Sequence, residues 1–430
     1  MKLPAAVAVL AVSLALTPSP LTKEERAIAS FVDANQAEAI ALLERAVNIN
    51  SGTQNLEGVR RAGALFRAEF DALGFTTTWV NQDEVKRAGH LVAERKGKGG
   101  PKILLIGHLD TVFEPDSPFQ RFERLDGNTA RGPGIIDMKG GNVIIVTAMK
   151  ALKAAGLLDS LHLVVVMTGD EEAAGRPLRV ARKTLVEAAQ GTAAALGFED
   201  GDGHPDHAVT ARRGTARWEL TVKGKPAHSS QIFRADIGHG AIFEAARVLQ
   251  EFQTQLAGQP HLTFNPGVIL GGTSVDFNAA AARGTAFGKD NVIAEHAVVA
   301  GDLRALTPEQ FETARQTMER IARASLPHTS SSLTFDEGYP PLAPTGGNAT
   351  LLAMLDKASR DLGLNPIVAV DPDRAGAADI SFVAAHAPML IDALGLKGDG
   401  GHTLDETADL GVLAIQAKRA AVLLARLAQR

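Results

Sequence analysis

A chain of 430 residues is too long for one ordinary hydrophobic core, so two domains are expected, and 45% hydrophobic with 22% charged residues is the balance of a globular protein. The formal net charge of −5, with no basic block anywhere, argues against nucleic acid as a partner, whose phosphates call for clustered Lys and Arg. The absence of cysteine excludes disulfides, thiolate metal sites and cysteine nucleophiles together, so any metal must sit on His and carboxylates.

Residues 1–20 read MKLPAAVAVLAVSLALTPSP, one Lys followed by an apolar run and a Pro-containing exit. That is the pattern of a secretory signal peptide rather than a buried helix, and the run is too short to span a bilayer comfortably. No Cys follows it to carry a lipid. Export to a bacterial periplasm or the exterior is expected, with no stable membrane anchor. The next segment, LTKEERAIASFVDANQAEAIALLERAVNI, is helical in pattern. In NLEGVRRAGALFRAEFDALGF, Val59, Ala62, Phe66, Phe70 and Leu73 share one face and Gly74 supplies a C-cap. KILLIGHLDTV predicts a strand, KGGNVIIVTAMKALKAAG a helix ending at Gly156, and LHLVVVMTGD another strand. Nearly continuous apolar runs of this kind suit strands covered by helices on both faces, an α/β pattern.

Between about Arg212 and Phe335 the pattern changes. ARWELTVKGKPAHS alternates apolar and polar residues, as a half-exposed strand does. The helix GAIFEAARVLQEFQTQLAG, the strands HLTFNPGVILGG and AVVAGDLRAL, a helix capped by Thr307 with Pro308 at its first position, and the strand SSLTFDEG complete a βαββαβ order. Residues 212–335 are therefore expected to form a small two-layer unit inserted into a first domain of residues 21–211 and 336–430. The segments NATLLAMLDKASRDLG, PIVAV and PMLIDALG and a long final helix return to the α/β pattern.

The chemistry collects where strands end. His108 and Asp110 stand two apart at a strand terminus, so both turn to one face; Asp110 can ligate a metal or hold the imidazole in one tautomer. Asp137 precedes Lys139-Gly140-Gly141 at a helix start, where it is either a ligand or an N-cap. Asp170, Glu171 and Glu172 follow the third junction, Glu199 and Asp200 the fourth, and His402 a Gly-rich turn. Ligands of open α/β sheets bind beyond the carboxyl ends of strands. Two His with Asp and Glu make a zinc or related divalent site, and two ions sharing one carboxylate would use about five ligands.

The ordered set HLD, GPGIIDMKGG, DEE, FED and GGHT, with the insertion between the last two, resembles the M20 family of metallo-exopeptidases and deacylases. Its members include glutamate carboxypeptidases, acetylornithine deacetylase and succinyl-diaminopimelate desuccinylase. The similarity runs from about Leu42 to the final helix. It implies a mixed-sheet zinc-exopeptidase domain of α/β class, with the inserted unit acting as lid and homodimer interface. It further implies two divalent ions, zinc first and cobalt or manganese as alternatives: His108 and Glu199 on one, Glu172 and His402 on the other, Asp137 bridging. Asp110 would orient His108, and Glu171 would be the general base. His228, in KGKPAHSS, would stabilise the oxyanion across a dimer interface, its alternative being a surface residue at a strand end. Asn291 and Arg304 would take a substrate carboxylate, the alternative for Arg304 being a surface ion pair. The implied substrate is a peptide or N-acyl amino acid that loses its C-terminal residue, with aminopeptidase or small N-deacylase action, or a non-catalytic binding protein of the same fold, as the alternatives. Asp200 stands where this family commonly has Pro, Lys139 is expected to be structural, and Asp170 and Asp379 receive no role.

Overall fold

In the computed structural model, residues 21–279 and 281–429 are described; the expected leader, residues 1–20, lies outside them. The main sheet has six strands in the order Thr76–Gln82, Arg87–Arg95, His162–Thr168, Lys102–His108, Ala194–Gly197 and Leu390–Ile391. The pairings among the first three are antiparallel and the rest parallel, so the sheet is mixed. Ile103–Ile106 and Leu163–Met167 are buried at every position. Helices Lys23–Ala34, Leu56–Ala72, Gly140–Ala154 and Leu410–Leu427 cover one face, meeting Ile103, Leu105, Leu163 and Val165. Leu185, Ile380 and Val383 cover the other, against Leu104, Ile106 and Val164. Such two-sided burial explains why these strands read as unbroken apolar runs.

The helical run after residue 21 is two helices, Lys23–Ala34 and Gln36–Val47, divided at Asn35. The Asn35 amide donates to the Phe31 carbonyl at 2.8 Å, a local bond that competes with helix continuation. Gly74 follows the helix Leu56–Ala72 with φ of +81°, the left-handed stop that glycine tolerates best.

Residues 214–335 form a second sheet, all antiparallel, in the order Thr263–Gly272, His296–Ala305, Gly214–Lys223 and Ser330–Phe335. Helices Gly240–Leu256 and Pro308–Arg323 pack on it around Trp218, Leu220, Val248, Phe252, Val299 and Met318, a core separate from the first. Burial alternates strictly along Gly214–Lys223, as its sequence predicts. The sheet and its two helices follow the expected βαββαβ order, with one addition. A hairpin, Ser274–Asn278 with Arg283–Phe287, stands between the second and third strands. Its side chains stay exposed or half-buried, so no buried face imprints a pattern on its sequence.

The chain crosses between the units twice, side by side. Arg212 and Leu342 exchange backbone hydrogen bonds of 2.9 and 3.0 Å, and the Thr215 N–H donates to the Tyr339 carbonyl at 2.9 Å. A Cβ at Gly338 would lie 1.6 Å from the Thr215 carbonyl oxygen, so the two crossings can touch only over glycine. Among the described residues no helix is long and apolar enough to cross a membrane.

Candidate metal centre

Three neighbouring parallel strands deliver the first donors. His108 ends the strand Lys102–His108, Glu171 and Glu172 follow His162–Thr168, and Glu199 follows Ala194–Gly197. Asp137 arrives differently: the helix Gly140–Ala154 starts three residues later with Lys139 at its cap, so Asp137 is not an N-cap. It lies in the kinked segment Ile135–Lys139, where its φ of −118° is not helical. The buried Glu406 holds that segment by accepting the N–H groups of Gly134 at 3.0 Å, Ile136 at 2.9 Å and Asp137 at 3.3 Å. Lys139, also buried, donates to the carbonyls of Ile49 at 2.9 Å and Pro133 at 3.2 Å, a structural part as expected. His402 stands on the Gly-rich turn with φ of +63°.

These residues converge on Asp137. His108 Nε2 lies 2.9 Å from Asp137 Oδ1 and 3.7 Å from Glu199 Oε1. His402 Nε2 lies 2.8 Å from Asp137 Oδ2 and 3.2 Å from Glu172 Oε2. The result is two groups of donors, each within 4.8 Å of one another, that share only Asp137. A cavity of about 160 Å³ opens onto Asp137, Glu171, Glu172, Glu199, Asp200 and His402.

The electrostatics are unbalanced. Among the described residues no Lys or Arg side chain bonds Asp137, Glu171, Glu172 or Glu199. Burial pushes Glu172 up to about 7 and Glu199 up to about 8, and burial followed by the charge of Asp379 drives Glu171 well above the carboxylate range. Burial opposes ionisation of Asp137 too, but hydrogen bonds from His108 and His402 outweigh it and hold its carboxyl low. Hydrogen bonds to Asp137 and Glu172 lift the His402 imidazole to about 11. Among the described residues, nothing hydrogen-bonds the buried Glu172 Oε1, an arrangement that costs free energy unless something else meets it. Two imidazoles and three carboxylates, with one carboxylate oxygen orphaned, fit divalent cations of the zinc kind.

Asp110 is not among the donors. Its buried carboxylate accepts the Thr53 hydroxyl at 2.7 Å and the N–H groups of Glu171 at 3.0 Å and Glu172 at 3.1 Å. Its backbone carbonyl lies 3.0 Å from His108 Nδ1, so it sits behind both the imidazole and the carboxylate loop. Asp200 lines the cavity outside both donor groups, and its carboxylate has no hydrogen-bond or ion-pair partner among the described residues.

The inserted unit places its three candidates apart from the cavity. The Ser229 N–H donates to the Asn291 carbonyl at 2.9 Å, and His228 bridges Val292, so the His228 and Asn291 segments adjoin. They lie beside the Lys223–His296 end of the sheet. Arg304 pairs with Thr215 at the other end, about 27 Å along the strand at 3.4 Å per residue. Its guanidinium meets Asp302 at 2.9 Å, the surface ion pair foreseen as its alternative. None of the three lines the cavity.

Sequence reasoning passed over four residues that build the site: Thr53, Arg182, Tyr339 and Glu406. Arg182 explains two carboxylates left without a role, lying 2.6 Å from Asp170 Oδ1 and 2.7 Å from Asp379 Oδ1. No local signal marks any of the four, because each acts across at least twelve residues of chain. A third donor group, His261 with Asp371 and Asp373, is more exposed, and Arg213 lies 3.3 Å from Asp373 in it.

The profile described as peptidase family M20/M25/M40 matches residues 104–428. Carboxypeptidase G2 of Pseudomonas sp. (strain RS-16) is 27% identical over 404 residues, covering 93% of this chain and 91% of that protein. Succinyl-diaminopimelate desuccinylase of Methylocella silvestris is 27% identical over 376 residues, covering 81% and 88%. Among solved structures, aminopeptidase PepT from Bacillus cereus ATCC 10987 superposes with a TM-score of 0.73 at 19% identity, covering 92% of this chain and 99% of that one.

Proposed function

This chain belongs to peptidase family M20/M25/M40, and on that premise we propose that it hydrolyses an amide bond at a pair of divalent cations, releasing a C-terminal amino acid from a peptide or N-acyl amino acid. One observation carries the reading. The two oxygens of Asp137 each face a different imidazole, which divides five donors into two sites and leaves Glu171 over. His108 and Glu199 would hold one ion, Glu172 and His402 the other, and Asp137 both. The donor set favours zinc, with cobalt or manganese as substitutes. When bound, such a pair acidifies water and polarises a carbonyl.

The chain's own residues do the rest. Glu171 carries no ligand duty and, among the described residues, no hydrogen bond to its carboxylate; with cations in the two sites to keep it ionised despite its burial, it would take a proton from the attacking water and pass it to the leaving nitrogen. Asp110 fixes the backbone of that residue and the tautomer of His108. Arg304, at the end of the inserted sheet beside the crossings, would clamp a substrate carboxylate with its planar fork, with Asn291 as second partner. His228 and Asn291 sit at the far end, and a second copy would have to bring them to the cavity, His228 as donor to the oxyanion. The exposed Phe233, Ile242, Phe243 and Phe287 on the inserted unit support such a homodimer. Export of the mature chain, proposed on the pattern of residues 1–20, completes the reading.

Chelation should abolish activity, and zinc, cobalt or manganese should restore it; full activity in metal-free protein would exclude the mechanism. A panel of free-acid and amide-capped substrates decides between carboxypeptidase action and the aminopeptidase or deacylase alternative, which the PepT and desuccinylase similarities keep in view. Arg304→Ala should harm only free-acid turnover if a substrate carboxylate is recognised there.

A further inference from the structure

Behind the cavity, the single tyrosine of the chain touches the loop that carries Glu171. The Tyr339 hydroxyl donates to the Glu171 carbonyl oxygen at 2.8 Å. The direction is fixed by its other neighbour: Arg182 Nη2, which can only donate, lies 3.1 Å away and takes the hydroxyl's lone pair. The same guanidinium grips Asp170 through its carboxylate at 2.6 Å and its carbonyl at 3.1 Å, and Asp379 at 2.7 Å. The Tyr339 ring stands edge-on to Phe382, with ring centroids 4.9 Å apart. At the backbone, Tyr339 accepts the Thr215 N–H, so the residue belongs to the crossing between the two units.

Asp110 holds the Glu171 N–H from one side and Tyr339 holds its C=O from the other. With both ends of the residue pinned, its side chain leaves the backbone at a set angle toward the cavity. We propose that Tyr339 is a positioning residue: its hydroxyl, itself oriented by Arg182, fixes the peptide carbonyl of Glu171 and so aims the Glu171 carboxylate at the attacking water. The inference rests on Glu171 being the general base. A misplacement of about 1 Å at a reacting group can cost on the order of 100-fold in rate.

The test is a double-mutant cycle on the metal-loaded enzyme, combining Tyr339→Phe with Glu171→Gln. Tyr339→Phe deletes one hydroxyl and keeps the ring that packs on Phe382. It should lower kcat about tenfold or more, with KM and metal content unchanged. In the Glu171→Gln background the same change should cost nothing further, because the hydroxyl acts only through Glu171. An equal loss in both backgrounds, a loss accompanied by metal release, or no loss of kcat in the native background would each overturn the proposal. If Glu171→Gln alone leaves turnover intact, it is the base assignment that fails.

Discussion

Asp170 and Glu172 stand two residues apart at the end of one strand, yet the structure meets their charges in opposite ways. Behind the loop, Asp170 and Asp379 share Arg182, whose side chain is only 1% exposed, while the Thr168 hydroxyl and Gly175 N–H complete the two carboxylates. In front, Glu172 has an imidazole on one oxygen and, among the described residues, no hydrogen-bond partner on the other. A fixed guanidinium suits charges whose task is to hold the loop, since a buried pair with full hydrogen bonding is rigid. At the proposed reaction site, none of the described residues supplies a fixed cation, and the position is open to metal ions or protons. The contrast can be broken from either side. The largest effect is expected in front: Glu171→Gln should lower turnover by about 10³-fold, within the range for general bases, with metal stoichiometry unchanged by elemental analysis.

Behind the loop the expected damage is to stability. Arg182→Met would leave Asp170 and Asp379 buried without their cation, and denaturant titration should show a loss of about 3–5 kcal/mol. Adding Asp170→Asn and Asp379→Asn to that variant should recover most of the loss, because the cost lies in the uncompensated charge rather than in the missing arginine. If Arg182→Met alone proves neutral, the two clusters do not differ as described.

The same contrast explains what the sequence made legible. The strands around His108 and Thr168 were readable because burial on both faces writes an unbroken apolar run, and the helix ending before Gly74 because a left-handed stop favours glycine. The donors in front were readable because they gather at strand ends in short, ordered motifs. Arg182, Tyr339 and Glu406 were not, since their partners lie 12, 168 and 270 residues away for the bonds to Asp170, Glu171 and Ile136. An isolated Arg or Tyr carries no trace of such a partner. Asp137 was found as a donor just before the helix, but its non-helical backbone was not foreseen, because the bonds that hold the segment come from Glu406, remote in sequence. The hairpin Ser274–Asn278 with Arg283–Phe287 escaped for the opposite reason: it buries too little to leave a pattern.

A smaller effect follows from the protons in front. Burial holds Glu172 near 7 and Glu199 near 8, above their unfolded values. Carboxyls raised on folding contribute stability below the unfolded pKa and lose it as pH rises through the folded one. Metal-free protein should therefore be less stable at pH 8.5 than at pH 6. Zinc at about 100 times its Kd should add about 2.7 kcal/mol, with proton release that grows as the pH of the titration falls below about 8. Melting curves of metal-free and loaded protein across pH check both; a pH-independent difference would mean that no proton gives way to the metal.

The smallest effect tests the satisfied kind of charge in the other unit. Glu244 is buried in the helix Gly240–Leu256, 2.7 Å from Arg247, and accepts the Leu326 N–H at 2.9 Å and the Ser331 hydroxyl at 3.1 Å. Burial pushes its pKa up, but the hydrogen bonds from Arg247 and Leu326 outweigh that and hold it below the usual value. The sign is thus reversed relative to Glu172. The contribution is present above the unfolded pKa, about 4.3, and is lost as pH falls through the folded one. Glu244→Gln should cost about 1–2 kcal/mol at pH 7, a penalty that shrinks below about pH 4, while metal content and kcat stay at the native level. Urea titrations at pH 7 and pH 3.5 read that difference directly. A penalty that instead grew on acidification would place Glu244 with the open carboxylates of the cavity, Glu172 and Glu199.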